Sequence, residues 1–415
     1  MPRTFVVVGA SLAGAKAAET LRTEGFDGRV VLIGEEPVRP YERPPLSKAY
    51  LRGEVGFDAA AVHDEAYYEA NDIELRLSTK VARIDPRGFY VETEEGERIP
   101  YDRLLLATGA EPRRLSVDGS ELDGVLYLRS VADADRLRAA VSSSVPIVVI
   151  GAGWIGAEVA ASARQLGADV SIVEVGKVPL ERVLGAEVGS VYRDLHRDNG
   201  VKLHFGVGIE SLVGEAGGAG GSGGSVEAVR LTDGTVIPAG VVVAGVGVVP
   251  RTTLAAAAGL DVENGILTDE HLETSSPGIF AAGDVANGVH PRYGRRVRLE
   301  HWSSALNQGP LAARNMLGRH IPYDRIPYFF SDQFDLGMEY RGFADGTDEV
   351  VVRGDVDNRE FLAFWVREGR VAAAMNANVW DQGDNLEALV ANAVVVDAAE
   401  LADPLVDLAG IAKAG

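Results

Sequence analysis

Residues 147–174 read IVVIGAGWIGAEVAASARQLGADVSIVE, and this stretch decides the fold. A short apolar run leads into Gly151, Gly153 and Gly156, a helical pattern follows, and a second apolar run ends at Glu174. Glycines in this arrangement allow a tight turn, and the N-terminus of the helix offers unpaired N–H groups to a pyrophosphate. A carboxylate at the end of the second strand can accept hydrogen bonds from ribose hydroxyls. The stretch therefore predicts a strand–turn–helix–strand unit that binds a dinucleotide.

A second copy of this pattern occupies residues 4–35, at the start of the chain. Its turn contains Gly9, Ser11 and Gly14, and Glu35 follows the second apolar run. Ser11 stands where the middle glycine belongs, and it is small enough to leave the backbone accessible. Two copies in full context predict an α/β chain with two bound dinucleotides, the alternative being two glycine turns that bind nothing. The simplest chemistry for such a pair is hydride transfer from a nicotinamide dinucleotide to FAD.

The residues after Glu174 bear on which nicotinamide dinucleotide is used. Val175, Gly176 and Lys177 follow it, so no arginine stands next to the acid to bind a 2′-phosphate. A carboxylate at this position also repels a phosphate. The sequence therefore favours NAD over NADP.

Composition excludes several classes of function. The 415 residues include no cysteine, which excludes disulfide frameworks, cysteine–zinc sites, protein-bound iron–sulfur clusters and thiol catalysis. The net charge of −21 argues against binding to nucleic acid, and the seven histidines form no metal-binding pattern. No apolar run is long enough for a membrane helix and no signal peptide is evident, so we expect a cytoplasmic protein of two or three domains.

Five further segments are specific to one family. They are PYERPPLSKAYL (residues 40–51), LLLATGAEPR (104–113), TSSPGIFAAGDVA (274–286), LEHWSSALNQG (299–309) and PYFFSDQFD (327–335). In this order they resemble the FAD-dependent NADH:ferredoxin reductases (putidaredoxin reductase-like) of bacterial cytochrome P450 and dioxygenase systems. The resemblance covers essentially the whole chain. It implies two Rossmann-like FAD- and NAD-binding domains of the glutathione-reductase-like type and an α+β C-terminal reductase domain.

The resemblance also implies which residues bind the cofactors. Those expected to contact FAD are Gly9, Ser11, Ala13, Gly14, Glu35, Arg43, Lys48, Val81, Thr108, Gly109, Arg129, Asp284 and Trp302. Those expected to contact NAD(H) are Gly151, Gly153, Ile155, Gly156, Glu158, Glu174 and Gly247. Lys48 and Glu158 are expected to be catalytic, because in the family such a lysine lies near the flavin and pairs with such a glutamate. A cation there stabilises negative charge on the flavin, and the carboxylate orients it.

The implied acceptor is a small [2Fe–2S] ferredoxin. Four arginines, Arg292, Arg295, Arg296 and Arg298, precede Trp302 in an otherwise acidic chain, and they predict a docking surface for an acidic partner. The alternative is a solvated turn whose arginines pair with the protein's own carboxylates. Related reductases often have tryptophan where Phe330 stands, so electron exit through an indole is not expected here. We expect a monomer or a weak homodimer.

The resemblance implies a split FAD domain (1–111 and 246–322), an inserted NAD domain (112–245) and a C-terminal domain (323–415). The last should contain strands near 349–353 and 361–366 and a helix near 385–399. Residues 215–225, EAGGAGGSGGS, predict a flexible loop.

Sister families define the alternatives in function. Disulfide reductases, coenzyme A disulfide reductases and NADH peroxidases need a cysteine and are excluded. A rubredoxin reductase or a quinone-reducing diaphorase stays open. So does an NADH-responsive binding flavoprotein similar to apoptosis-inducing factor.

Overall fold

The computed structural model describes residues 3–141, 145–214 and 224–413. The chain forms two compact units, each made of three separate segments. One unit, here called the first unit, consists of Met1–Arg43, Gly56–Glu111 and Val248–Arg325. The second unit consists of Pro44–Val55, Pro112–Gly247 and Ile326–Gly415. Short strands, Ala110–Pro112 and Val248–Pro250, lie where the chain passes from one unit to the other.

The first unit is built on a five-stranded parallel sheet. In spatial order its strands are Ile279–Ala281, Arg103–Leu106, Thr4–Val8, Arg29–Ile33 and Ile73–Arg76. These strands are rich in Val, Leu and Ile because a parallel sheet is covered on both faces. Phe5, Val6 and Val7 are almost completely buried. The predicted first strand, helix and second strand are all present.

The first unit also contains two small three-stranded sheets, one antiparallel and one mixed. One contains Val81–Asp85, Tyr90–Thr93 and Arg98–Pro100, and the other contains Ile266–Thr268, Ala286–His290 and Arg295–Val297; within the latter the first two strands run parallel. The α-helices are Leu12–Thr23, Phe57–Ala60, Ala66–Ala70, Thr253–Ala257 and Trp302–Met316, with 3₁₀ turns at Gly283–Val285 and Pro291–Tyr293.

The second unit contains another five-stranded parallel sheet. Its order is Lys202–Phe205, Val170–Glu174, Ile147–Ile150, Val241–Ala244 and Val125–Leu126. A three-stranded antiparallel sheet of Ile209–Gly214, Val226–Leu231 and Val236–Pro238 accompanies it. The helices of this part are Val131–Val141, Trp154–Gln165 and Glu181–Asp198, with a 3₁₀ turn at Pro44–Ser47. The two parallel sheets repeat one plan, as the two sequence copies predicted.

A five-stranded antiparallel sheet forms the C-terminal part of the second unit. Its order is Tyr328–Gln333, Leu336–Gly342, Arg370–Ala377, Glu360–Arg367 and Glu349–Asp355. One face of this sheet, with Trp365 and Phe361, packs against Leu184, Tyr192 and Leu195 of the helix Glu181–Asp198. The other face packs against the C-terminal helices Gly383–Ala391, Ala398–Ala402 and Leu408–Lys413.

The predicted single helix near 385–399 is wrong, because two helices replace it. The first ends at Ala391, and Ala393 adopts a left-handed conformation with φ 46°. The chain then becomes extended, so that Val395 forms a β-bridge with Arg370. Asp397 starts the next helix by accepting a hydrogen bond from the Ala399 N–H. A local helical pattern could not reveal this long-range pairing.

Most of the predicted glycine-rich loop, residues 215–223, lies outside the described residues. None of the helices in the described ranges combines the length and the apolar character that crossing a lipid bilayer requires.

Candidate functional site

The first glycine turn follows the strand Thr4–Val8 in the first unit. This strand pairs in parallel with the strand Arg29–Ile33, and just beyond it the Gly9 N–H donates to the Ile33 carbonyl at 2.8 Å. Gly9 has φ +118°, and a Cβ there would lie 2.1 Å from the Ala107 carbonyl oxygen. A Cβ on Gly14 would lie 2.0 Å from the Gly9 carbonyl oxygen. Both positions therefore require glycine on steric grounds.

This turn brings four of the predicted FAD contacts together. Ser11 is the N-cap of the helix Leu12–Thr23, and Ala13 lies in the first turn of that helix. The helix Trp302–Met316 approaches so closely that a Cβ on Gly309 would lie 2.2 Å from the Ala13 carbonyl oxygen. Ala13 is thus held by backbone packing beside the turn, and the helix N-terminus is oriented as an anion-binding end.

The second glycine turn repeats the geometry in the second unit. A Cβ on Gly156 would lie 2.0 Å from the Gly151 carbonyl oxygen, and Gly151 has φ +95°. Gly153 differs, because no heavy atom among the described residues lies within 4 Å of a Cβ placed there. Ile155, in the first turn of the helix Trp154–Gln165, is 46% exposed. The middle glycine thus faces open space at the helix N-terminus, which fits a site for a pyrophosphate.

The two predicted ribose-binding acids end corresponding strands but have different partners. The Glu174 carboxylate accepts hydrogen bonds from the N–H groups of Ala152 (2.7 Å) and Gly176 (2.8 Å), so it is fixed against the glycine turn. The Glu35 carboxylate accepts two hydrogen bonds from the Arg251 guanidinium, one of them 2.9 Å long. Those bonds hold the pKa of Glu35 below its usual value. Ribose binding by these acids stays a prediction.

Lys48 and Glu158 form a buried ion pair. The Lys48 Nζ lies 3.0 Å from the Glu158 Oε2, and the two side chains are 11% and 4% exposed. Lys48 directly follows the 3₁₀ turn Pro44–Ser47, which the prolines favour because their φ is fixed. Glu158 lies on the buried face of the helix Trp154–Gln165. Two segments that are 110 residues apart thus place a cation and an anion in direct contact.

The Glu158 carboxylate has two further donors. The Ser47 hydroxyl donates to Oε2 at 2.5 Å, and the Ser331 hydroxyl donates to Oε1 at 2.7 Å. Ser331 lies on the strand Tyr328–Gln333 of the C-terminal sheet. The buried carboxylate therefore contacts three donors, namely the Lys48 ammonium group and the two hydroxyls.

Aromatic rings border this ion pair. The Phe330 ring centroid lies 5.4 Å from the Lys48 Nζ, within the range of a cation–π contact. Tyr192 is fully buried, which raises the pKa of its phenol above the usual value. The aromatic ring at position 330, which contacts the lysine, is thus a phenyl ring.

His196 is a fully buried histidine in the same unit. Its Nε2 lies 2.9 Å from the Gln333 Oε1, and burial lowers its pKa to about 4. The imidazole is therefore neutral at pH 7 and can donate from Nε2.

This depressed pKa predicts a pH-dependent loss of stability. Below pH about 6.5 the unfolded chain binds a proton at His196, whereas the folded protein does so only near pH 4. The free energy of unfolding should therefore fall by about 3 kcal/mol between these pH values through this residue alone. His196→Gln, which keeps a side-chain N–H, should reduce the loss of Tm between pH 7 and pH 5 measured by scanning calorimetry. An unchanged pH slope in this variant would contradict the assignment.

Six other predicted FAD contacts belong to the first unit. They are Arg43, Val81, Thr108, Gly109, Asp284 and Trp302. The Thr108 hydroxyl donates to the Arg251 carbonyl at 3.0 Å, and the Arg251 N–H donates to the Gly109 carbonyl at 3.0 Å. Trp302 begins the helix Trp302–Met316, and its Nε1 donates to a Glu42 carboxylate oxygen at 3.1 Å.

The remaining members of the set have the following positions. Val81 is buried at the start of the strand Val81–Asp85, and Arg43 lies 3.5 Å from Glu36. Asp284 lies in the 3₁₀ turn Gly283–Val285. 

Arg129 and Gly247 are the two predicted contacts that remain, and both belong to the second unit. Arg129 precedes the helix Val131–Val141, and its N–H donates to an Asp133 carboxylate oxygen at 3.2 Å. Gly247 has φ +93°, and its carbonyl accepts a hydrogen bond of 2.9 Å from the Arg113 N–H.

Only three of the four arginines in the predicted cluster are exposed. Arg292, Arg295 and Arg296 are exposed, on the hairpin that joins Ala286–His290 to Arg295–Val297. Arg298 is wrong as a docking residue, because its side chain is 11% exposed and forms an ion pair of 2.6 Å with Glu300. Arg298 also donates to the Asp284 carbonyl. 

Arg296 has a structural contact as well. Its Nη1 donates to the carbonyls of Thr268 (2.8 Å) and Asn287 (2.9 Å), so it joins the strands of this small sheet.

Sequence reasoning missed three residues of the site. Ser47 and Ser331 both contact Glu158, and Arg251 contacts Glu35. Ser47 adjoins Lys48 in the PPLSK segment, and Ser331 belongs to the FFSDQ segment, so both were visible only as parts of family motifs. For Arg251 the sequence contained no signal.

The chain is similar to known proteins over most of its length. Residues 3–309 match the family model described as pyridine nucleotide-disulphide oxidoreductase, and residues 328–412 match that described as reductase C-terminal. The anthranilate 1,2-dioxygenase system ferredoxin–NAD(+) reductase component of Burkholderia cepacia is 40% identical over 97% of this chain and 98% of its own length.

The fold is also similar to solved structures of ferredoxin reductases. The ferredoxin reductase for the CYP199A2 system from Rhodopseudomonas palustris superposes with a TM-score of 0.93 at 36% identity, covering 99% of both chains. The reductase in the covalent putidaredoxin reductase–putidaredoxin complex superposes with a TM-score of 0.92 at 35% identity, covering 99% of this chain and 98% of that one.

Proposed function

This chain belongs to the pyridine nucleotide-disulphide oxidoreductase family, and on that premise we propose that it transfers electrons from NADH through FAD to a [2Fe–2S] ferredoxin. That ferredoxin in turn supplies a cytochrome P450 or a similar oxygenase. Of the relatives at 35–40% identity, one is the reductase component of an anthranilate 1,2-dioxygenase system, one is the ferredoxin reductase for the CYP199A2 system, and one is the reductase of putidaredoxin. The chain uses FAD and NAD(H), and we place its reaction in the cytoplasm, where NADH is available.

One observation carries the proposal: two glycine turns with the same geometry occur in a chain without cysteine. Each turn lies at the carboxyl end of a parallel strand, where α/β proteins bind nucleotides. Two dinucleotides allow hydride transfer between them, and the lack of a thiol excludes transfer to a disulfide. The electrons therefore leave for an external acceptor.

The chain's own side chains have separate tasks. FAD, when bound, supplies the chemistry that divides a hydride from NADH into single electrons. The turns at Gly9 and Gly151 bind pyrophosphates through backbone N–H groups. Lys48 provides a positive charge in a site from which water is largely excluded, and Glu158 holds its ammonium group in one orientation. 

The first experiment is anaerobic stopped-flow mixing of the purified yellow protein with NADH or NADPH, followed by mixing with oxidised [2Fe–2S] ferredoxin. We expect fast bleaching by NADH, slow bleaching by NADPH and prompt reoxidation by the ferredoxin. Failure of every ferredoxin to reoxidise the protein, combined with reoxidation by rubredoxin, would replace the proposed acceptor. Slow turnover with all acceptors would favour an NADH-responsive binding protein.

The ferredoxin is proposed to dock beside Arg292 and Arg295. Both are exposed on one hairpin of a protein whose net charge is −21, so they form a local basic surface. Small acidic partners are steered by such a surface at low ionic strength. The enzyme is proposed to act as a monomer or a weak homodimer.

Changing both Arg292 and Arg295 to Glu should raise the KM for ferredoxin about tenfold at low salt, because steering becomes repulsion. The rate with ferricyanide should stay unchanged. A matched control changes Arg83 and Arg87 to Glu, which are exposed on another hairpin of the first unit. An equal rise of KM in the control, or an equal loss with ferricyanide, would contradict docking at this surface.

A further inference from the structure

Glu158 is the end of a chain of buried hydrogen bonds. The Ser331 oxygen, which donates to Glu158, lies 3.3 Å from the Gln333 Nε2. The Gln333 Oε1 in turn lies 2.9 Å from the His196 Nε2. Ser331, Gln333 and His196 are each at most 1% exposed. These hydrogen bonds therefore connect the helix Glu181–Asp198 to the Lys48–Glu158 ion pair through side chains that are almost completely buried.

The order of donors fixes the direction of every bond. Neutral His196 donates from Nε2 to the carbonyl oxygen of Gln333, which leaves the Gln333 amide N–H groups pointing towards Ser331. The Ser331 oxygen accepts that N–H, and its single hydrogen is directed to Glu158. A hydroxyl alone can rotate, whereas a hydroxyl that accepts from Gln333 has a preferred orientation.

Ser331 and Gln333 are also unusual because they are polar residues on the buried face of a sheet. Phe329, Ser331 and Gln333 are the buried residues of the strand Tyr328–Gln333, so they share the face that a sheet normally fills with apolar side chains. Burial of a hydroxyl and an amide costs free energy unless each is hydrogen-bonded, and apolar residues of similar size would avoid that cost. Packing alone does not account for two polar residues here.

We propose that Ser331 is a positioning residue for hydride transfer, acting through Glu158 on Lys48, and that Gln333 and His196 fix the direction of its hydroxyl. Ser331 and Ser47 hold the two oxygens of Glu158 separately, so the carboxylate cannot rotate. The Lys48 ammonium group, which contacts Oε2, is thereby kept in one place. This inference rests on the proposed NADH-dependent reduction of FAD.

The test is a double-mutant cycle on the limiting rate of flavin bleaching by NADH. Ser331→Ala should lower that rate about tenfold, since a hydrogen bond to a charged group is lost. The dissociation constant for NADH should stay within about twofold, because the residue is not proposed to contact the nucleotide. Ser331→Thr keeps the hydroxyl and should recover most of the rate. Ser190→Ala, a partly exposed serine of the same unit, is the matched control and should match the wild type.

The decisive comparison is made in the Glu158→Gln background. If Ser331 acts through Glu158, adding Ser331→Ala to Glu158→Gln should produce no further loss. An equal loss in both backgrounds, or a wild-type rate in Ser331→Ala, would overturn the inference. If Ser331→Ala does not fold, Gln333→Met is compared in the same two backgrounds. An equal loss of bleaching rate from Gln333→Met with and without Glu158→Gln would also overturn the inference. A wild type that NADH does not bleach would refute the proposed function instead.

Discussion

Replacing Lys48 with methionine should both destabilise the protein and slow flavin bleaching by NADH about 100-fold. Glu158 is 4% exposed, so loss of its cationic partner leaves a buried carboxylate held only by two hydroxyls. Breaking a buried ion pair at one partner typically costs about 3 kcal/mol or more, which for a chain of this size lowers Tm by about 5 °C. The rate falls because the positive charge that Lys48 supplies is not replaced. Calorimetry and anaerobic stopped-flow measure the two effects separately.

The double variant Lys48→Met/Glu158→Gln separates stability from activity. It removes both charges, so most of the lost Tm should return while the bleaching rate stays low. Lys202→Met is the matched control: Lys202 pairs with Asp169 at 2.8 Å, but both side chains are more than half exposed, so Tm should change little. A double variant that recovers the rate along with Tm would show that Lys48 has only a structural role.

The parts of the fold that could be predicted are those set by short-range steric rules. Gly9 and Gly151 have positive φ, and Gly14 and Gly156 have no space for a Cβ, so a regular pattern of glycines is visible in the sequence. The parallel strands were equally visible, because strands buried on both faces are continuously apolar. The first strand, helix and second strand of both copies were predicted from these rules alone.

The contacts that could not be predicted join distant parts of the chain. Ser331 reaches Glu158 over a separation of 173 residues, and Arg251 reaches Glu35 over 216. Hydropathy patterns carry no information on such pairs, and family motifs indicate that a residue matters without saying what it touches. The arginine cluster shows the same limit. Sequence reasoning treated Arg298 like its neighbours, although its side chain is only 11% exposed and forms an ion pair with Glu300.

Adding one methyl group to one glycine turn at a time should impair binding at one nucleotide site and leave the other intact. Gly14→Ala should give a protein that is purified with little flavin, because its Cβ would lie 2.0 Å from the Gly9 carbonyl oxygen and the turn must open. Gly156→Ala should keep its flavin but require an NADH concentration about 100-fold higher for half-maximal bleaching, since its Cβ meets the Gly151 carbonyl oxygen at 2.0 Å. The ratio of absorbance at 450 nm to that at 280 nm reports flavin content.

Gly153→Ala distinguishes loss of space for the ligand from distortion of the turn. Its φ of −74° suits alanine, and a Cβ there meets no atom within 4 Å in the described parts of the chain, so Tm should stay unchanged or rise slightly. NADH should nevertheless bind at least about tenfold more weakly, because the added methyl group occupies the space at the helix N-terminus that the pyrophosphate needs. Gly346→Ala, whose Cβ likewise has open space in the described structure, should change neither property. Unaltered NADH binding in Gly153→Ala would place the nicotinamide dinucleotide elsewhere, because a ligand held at this helix N-terminus must contact that position.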